Sequence, residues 1–385
     1  MSLQRVLATT MAGLCALTLL APVSARAEEA GQQDFASQLR QLRVLVAHND
    51  PDAEFELGKL YDAGQGVAMD TATAVSWWQR AAMQDHARAE YQLGMRYMSG
   101  IGISHDYGKA AEWFERAARQ GYLPAQLRLG DLLASTSYPG VTQDLPAAVR
   151  WYQQAASQGD RDAQHKLGDF YAMGLGVLPD MHQAVVWWML AARQKNVASE
   201  YNLAHSLLQG NGVAANLVQA AKWFRRAAEA GDSKAQLALG DMYREGQGLE
   251  QDYGRAAHWY ARAAARGDDE AQTRLASLYE LGQGRPQDLV LACAWYQLVL
   301  NEASDPETTA MSNLLAGDAS DAEWQQYKKR LAAARYSYQQ NRDRVVALLT
   351  AGEQNVAQAL AASWQPGSLL SYNQPMAEPL VMNTR

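Results

Sequence analysis

Disulfide bonds cannot hold this chain together. Its 385 residues contain only two cysteines, Cys15 and Cys293, and Cys15 sits inside an apolar N-terminal run. One thiol cannot staple a fold, so an oxidising compartment is tolerated here rather than exploited, and Cys293 reads as a packed thiol. Basic charge is short as well: 34 Lys and Arg stand against 41 Asp and Glu, a formal net charge of −7. Nucleic acid and anionic lipid both require concentrated Lys and Arg, so neither fits as a main partner. Beyond residue 27 no stretch reaches the roughly 20 apolar residues that span a bilayer, so no transmembrane span is expected in the processed chain. Catalytic motifs are missing too. There is no Ser-x-x-Lys, Gly-x-Ser-x-Gly or His-Glu-x-x-His, which ranks a hydrolase last and leaves no catalytic residue to name.

The first residues carry a targeting pattern. Arg5 gives a positive start, Val6 to Leu20 is apolar apart from threonines, and Ala25-Arg26-Ala27 presents small residues at a cleavage site. Residues 1–27 are therefore expected to be a signal peptide, cleaved after Ala27, and the protein periplasmic. A transmembrane anchor is disfavoured by the short run and Pro22, and a lipid anchor by the position of Cys15 in mid-run. Cleavage removes Arg5 and Arg26 and no acid, which leaves 32 basic against 41 acidic residues and a net charge of −9.

From Asp52 one pattern recurs: Ala53, Leu57-Gly58, Tyr61, Gly64-Gln65-Gly66, Asp70, Ala74, Trp77-Trp78 and Ala81-Ala82. Leu-Gly returns at Leu93-Gly94, Leu129-Gly130, Leu167-Gly168 and Leu239-Gly240, with Leu203-Ala204 and Leu275-Ala276 as variants. Tryptophan returns at Trp113, Trp151, Trp187, Trp223, Trp259 and Trp295; the spacing is 36 residues except in the third repeat, which is two longer. A period of this size means stacked supersecondary units. Ala53, Leu57, Leu60 and Tyr61 mark one face of a first helix. Gly-x-Gly ends it, because glycine accepts the left-handed backbone of a helix C-terminus. Asp70, Asp106, Asp144, Asp180, Asn216, Asp252 and Asp288 are placed to cap the second helix. In that helix Ala74, Trp77, Trp78, Ala81 and Ala82 give the buried stripe, and the recurring tryptophan is expected to fill the space between successive units, so that Trp187→Ala would remove a core residue.

These motifs resemble the Sel1-like repeat family across residues 52–304. The resemblance implies an all-α chain, a right-handed tetratricopeptide-like α/α solenoid of about seven repeats, with relatives that serve mainly as protein-interaction scaffolds. It fixes a fold without naming a partner. A cysteine-rich branch of the family recognises penicillin, but its paired cysteines have no counterpart here and that activity is not carried over. No cofactor is implied.

Around the repeats, residues 28–51 are expected to form an N-terminal cap, with Phe35, Leu39, Leu42 and Val46 at helical spacing. Residues 305–362 should form C-terminal capping helices, with Asp305-Pro306 and the capping box Ser320–Glu323 as start signals and Trp324, Tyr327, Leu331, Ala334 and Tyr338 along one face. The Pro- and Gly-bearing stretch 363–385 reads as a flexible tail. Two departures from the repeat stand out: the third repeat has Ser135–Gly140 in place of Gly-x-Gly, and the fourth ends in Gln194-Lys195-Asn196.

The Gly-x-Gly steps follow helices and recur in six repeats, so they are turns and not nucleotide loops. His165, Asp169 and His205 could converge on one metal ion from stacked helices, but without a ligand-dense spacing motif no metal site is assigned. The outer face of the first helices is the candidate partner-binding groove: Phe55, Tyr91, Met95, Met98, His165, Asp169, Tyr201, His205, Asp241 and Arg244, accompanied by Leu127, Met173, Leu208 and Leu237. Its mixture of aromatic, Met and charged residues suits a protein or peptide partner in the cell envelope. Tyr91, Met95, Tyr201 and Arg244 are expected to face the partner without serving the repeat core. The functional reading is a scaffold in envelope assembly, secretion or exopolysaccharide export; the alternative is a binder of peptidoglycan or another polysaccharide.

Overall fold

A computed structural model describes residues 35, 37–302 and 321–371. The expected signal peptide, the Asp305-Pro306 start and the end of the tail lie outside the described residues. Among those described, every regular element is a helix. Helix α1 covers 37–46. Seven pairs follow, first helix then second: α2 Pro51–Ala63 and α3 Thr71–Ala82; α4 Ala87–Ser99 and α5 Tyr107–Arg119; α6 Leu123–Ala134 and α7 Leu145–Ser157; α8 Arg161–Met173 and α9 Met181–Arg193; α10 Val197–Gln209 and α11 Leu217–Glu229; α12 Ser233–Glu245 and α13 Tyr253–Ala264; α14 Asp269–Leu281 and α15 Leu289–Glu302. Two further helices, α16 Asp321–Val346 and α17 Ala351–Ser363, close the described chain.

The helix ends follow the punctuation of the sequence. Asp70 accepts from the backbone N–H of Thr73 at 3.0 Å, and Asp106, Asp144, Asp180, Asn216, Asp252 and Asp288 do the same one repeat after another. The first glycine of each Gly-x-Gly closes its helix with φ between 65° and 73°. The second glycine has another task. A Cβ on Gly102 would stand 2.8 Å from the Thr71 carbonyl oxygen, and one on Gly248 would stand 2.5 Å from the carbonyl carbon of Leu217. From the second repeat on, each such turn thus lies directly on the start of the preceding repeat's second helix, where no side chain fits; in the first repeat Gly66 lies on Phe35 instead. In the third repeat Ser135 ends α6 in extended conformation, and the longer loop is pinned by Asp144 N–H donating to Leu133 O at 2.9 Å and by Tyr138 packed on Tyr107.

The packing inside a repeat corrects the expectation for the recurring tryptophan. The residue buried in every repeat is the aromatic that follows it, Trp78, Phe114, Tyr152, Trp188, Phe224, Tyr260 and Tyr296; of the recurring tryptophans Trp77, Trp113, Trp151, Trp187 and Trp223 are half-buried, and Trp259 and Trp295 are buried as expected. A Cβ on Gly94 would lie 2.5 Å from the Phe114 ring, and one on Gly240 equally close to the Tyr260 ring. The Leu-Gly step is therefore a seat for the second-helix aromatic. The preceding tryptophan carries an arginine on its face, at 4.6 Å for Trp77–Arg80 and 4.5 Å for Trp223–Arg226.

Seven buried polar residues were not singled out from the sequence: Glu54, Glu90, Gln126, Gln164, Glu200, Gln236 and Gln272, the fourth residue of each first helix. Their role follows from the carbonyls in the last turn of the preceding second helix, which lose water when the next repeat stacks and need a donor. Gln126, Gln236 and Gln272 donate to the carbonyls of Ala118, Ala228 and Ala264 at 3.2, 3.0 and 3.3 Å. A glutamate cannot donate. Where Glu stands, an arginine of the same repeat supplies the bond and neutralises the acid. Arg116 reaches Ala82 O at 3.0 Å and Glu90 at 2.9 Å, and Arg226 reaches Ala192 O at 3.2 Å and Glu200 at 2.6 Å.

The repeats fall into two compact units. Among the described residues, one holds those up to Ala163 with Leu175–Val177; the other holds Gln164–Gly174 and those from Leu178. In the first, Leu39, Leu42 and Val46 of α1 are buried with Ala53, Leu57 and Leu60. In the second, one core runs from Ala184 to Leu370. Helices α16 and α17 pack on α15, burying Val345, Ala357 and Ala361, and Arg344 makes a two-pronged pair with Glu280 at 2.8 Å on each prong. Ala334 and Tyr338 are half-buried, while the side chains of Trp324, Tyr327 and Leu331 lie outside the description. A capping box does occur, at Thr350 and Glu353. The first part of the expected flexible tail is packed: Gly367 N–H donates to Ala265 O at 2.5 Å and Leu370 is buried.

Candidate partner-binding face

The outer first-helix positions are not equally free. In the first unit Phe55 is only 3 % exposed. His86 stacks on it at 4.9 Å and the Arg88 guanidinium lies 4.4 Å from its centroid, so the next repeat covers it and it belongs to the core rather than to a groove. Tyr91 is half-buried between Phe114 and Tyr122, at 5.5 and 5.4 Å. Met95 and Met98 pack partly against the core around Leu129.

In the second unit His165 accepts or donates at Ser199 Oγ, 2.9 Å away, and lies 3.3 Å from Asp169. Asp169 also accepts from Trp188 Nε1 at 2.9 Å and from Asn202 at 3.1 Å. His205 is not drawn into that group; it lies beside the Tyr201 ring with its Nε2 3.3 Å from Gln209. Among the described residues no three of His, Cys, Asp and Glu gather as metal ligands. Asp241 accepts from Tyr260 OH at 2.7 Å, and Arg244 Nε donates to the same hydroxyl at 3.1 Å. Burial, and then the bond to Asp241, push the Tyr260 phenol far above its ordinary range. Burial opposes charge on Arg244, but Tyr260, Asp241 and Glu245 outweigh it and hold the guanidinium charged.

Asp169 and Asp241 thus serve the core first. Asp131 does the same for Tyr152 at 2.8 Å. Where the buried aromatic is Phe114 or Phe224 and has no polar tip, the same helix position carries Met95 or His205. That coupling is readable in the sequence by comparing repeats. It leaves Met95 and His205 with no polar core partner to serve; Met95 still packs partly on the core around Leu129, whereas His205 is exposed. Tyr201 is half-buried on Phe224 at 5.7 Å, and burial raises its phenol. Together with exposed His205, Trp188, Asn202, Met181 and Asn211 it lines a cavity of about 130 Å³. Tyr91 and Tyr201 are therefore partly structural, contrary to the expectation that they stand apart from the core.

A Sel1 repeat family model matches residues 51–86, 87–122, 123–160, 161–196, 197–232, 233–268 and 269–298. The chain belongs to the Sel1 repeat family. A Sel1 repeat protein from Oxalobacter formigenes is 33 % identical, aligned over 74 % of this chain and 81 % of its own, with a TM-score of 0.57. The protective antigen c5321 of uropathogenic Escherichia coli, which has an SLR fold, is 25 % identical over 85 % of this chain and 78 % of its own, with a TM-score of 0.38. The immunity protein Pa5087 of Pseudomonas aeruginosa is 18 % identical over 62 % of this chain and 84 % of its own, with a TM-score of 0.31. No curated protein sequence matches significantly. This Sel1 repeat chain is thus an all-helical repeat array, and no described helix is long and apolar enough to cross a membrane.

Proposed function

We propose that this Sel1 repeat chain is a periplasmic binding scaffold, working in envelope assembly, secretion or exopolysaccharide export, and that the outer first-helix face docks a polypeptide. The observation that carries the reading is His205, which has no core aromatic to bond and stands exposed beside a small cavity that Tyr201 also lines. Positions free of packing constraint on a repeat scaffold are where partner contacts are placed.

A photo-crosslinking residue at Met95 or His205, introduced in cells, should give a discrete adduct with an envelope protein. The same probe at Leu178, 87 % exposed in a loop, should not. Adducts from Leu178 alone would move the interface to the loops. Met95→Glu and His205→Glu spare the Tyr91 and Tyr201 rings, and each should weaken the captured complex by about 2 kcal/mol if it strikes a hot spot. Partner titrations of both variants check this, beside thermal melts that remain near wild type for exposed His205→Glu.

The proposed location is tested separately. N-terminal sequencing of the periplasmic fraction should read Glu28-Glu29-Ala30. Retention of Met1, or recovery only with membranes, would overturn it.

A further inference from the structure

The second unit holds a larger cavity, about 400 Å³, formed by α12, α13, α14, α15 and α16. Its wall presents three guanidiniums, Arg244, Arg274 and Arg344, together with Thr273, Ser277 and Asn341, and includes no carboxylate. The guanidinium charge is balanced by four carboxylates that lie off the wall, Asp241, Glu245, Glu270 and Glu280, so the wall itself presents only donors.

The arginines are held from behind. Tyr260 fixes Asp241, and Asp241 pairs with Arg244 and with Arg274, each at 3.3 Å. Tyr296 fixes Glu280 at 3.1 Å, and Glu280 holds Arg344 through its Nε and Nη2. Glu270 takes Nη2 of Arg274 at 2.9 Å. In all three residues the carboxylate pairings use the Nε and Nη2 side, and the Tyr296 hydroxyl also bonds Arg344. The Nε of Arg274 is buried and, although near Asp241, lacks a hydrogen bond. Guanidiniums already fixed in place lose little entropy when a ligand arrives, and donors in a walled cavity bind an anion more strongly than they would in open water. Leu278 and Leu281 add apolar wall suited to the methylenes of an acidic side chain.

We propose that this cavity is an anion-recognition subsite that takes the carboxylates of an acidic peptide segment. The peptide nature of the ligand rests on the scaffold reading above, whereas the arginine subsite stands on its own geometry. The test uses the full chain and a fluorescein-labelled hexaglutamate peptide with a free C-terminus, followed by anisotropy. Saturable binding at one site per chain is expected, weakened by added salt and reduced about tenfold or more by Arg244→Gln or Arg274→Gln, as for other bonds to charged groups. Thr273→Glu, which places an acid on the wall without touching the arginine network, should give the same loss if the arginine variants fold poorly. Arg255→Gln, outside the cavity, should bind as wild type. Equal binding of hexaglutamine, tighter binding of trigalacturonate, or indifference to the Arg244, Arg274 and Thr273 variants would overturn the assignment. Met95→Glu and His205→Glu should leave hexaglutamate binding unchanged, so failure at the outer face and failure of this cavity give different results.

Discussion

Trp188→Ala is expected to lower the stability of its region by about 3–5 kcal/mol, and Trp187→Ala by markedly less, about half or below. The two residues are neighbours in sequence and identical in chemistry, so the comparison isolates position. Trp188 is 6 % exposed, lies against the bare Cα of Gly168 and donates to Asp169. Its removal opens a cavity and leaves that carboxylate short of a partner. Trp187 is half-buried, and its indole N–H has no hydrogen-bond partner among the described residues, so its loss costs packing alone. Because stacked repeats touch mainly their neighbours, the damage should centre on α8 to α11. Urea titration and hydrogen exchange on both variants measure this; a greater loss from Trp187→Ala would show that the buried aromatic has been misplaced by one residue.

The second large effect concerns Glu200 and Arg226. Glu200 is 3 % exposed, and burial raises its pKa while Arg226 opposes the rise. Arg226→Leu strands the carboxylate and removes the donor to Ala192 O, so a loss of about 3 kcal/mol is expected at neutral pH. The sign of the pH dependence is fixed. A carboxyl whose folded pKa lies above its unfolded value favours the fold while protonated, and loses that contribution as pH rises through the folded pKa. The variant should therefore recover part of its stability on acidification, over a range above the ordinary glutamate value. The double change Glu200→Gln with Arg226→Leu recreates the pairs Gln164 with Leu190 and Gln272 with Leu298 found in other repeats. It should lie within about 1 kcal/mol of wild type, without the acid recovery. Chemical melts across pH on the three proteins decide it, and a double variant as unstable as the single one would refute the donor argument.

The helix pairs were legible because each is punctuated: Gly64 at a left-handed end, Asp70 at a cap, and an apolar period between. Both rings of Trp77-Trp78 read as buried, because helical periodicity alone does not separate adjacent residues near the edge of a stripe. Glycine at position 58 carried the missing signal, since it marks where a ring must sit. The outer face was harder. Phe55 looks exposed on a helical wheel and becomes core only when His86 and Arg88 arrive from the next repeat. Asp169 and Asp241 look like groove acids because their debt to Trp188 and Tyr260 lies 19 residues away in sequence. The arginine cavity was out of reach, since Asn341 and Arg344 come from a helix that shows no repeat pattern.

The polar bond at each repeat junction has a consequence for how such a chain can change length. Both the glutamate and the arginine that serves it belong to one repeat, and the acceptor is a backbone carbonyl that any residue would provide. A joint of this kind is indifferent to its upstream neighbour. Excision of 197–232 would bring Gln236 to the place that Arg226 now occupies beneath Ala192, and a duplicated repeat would arrive with its own donor. Whole repeats can therefore be gained or lost without stranding a polar group, whereas an exchange of either partner alone is penalised.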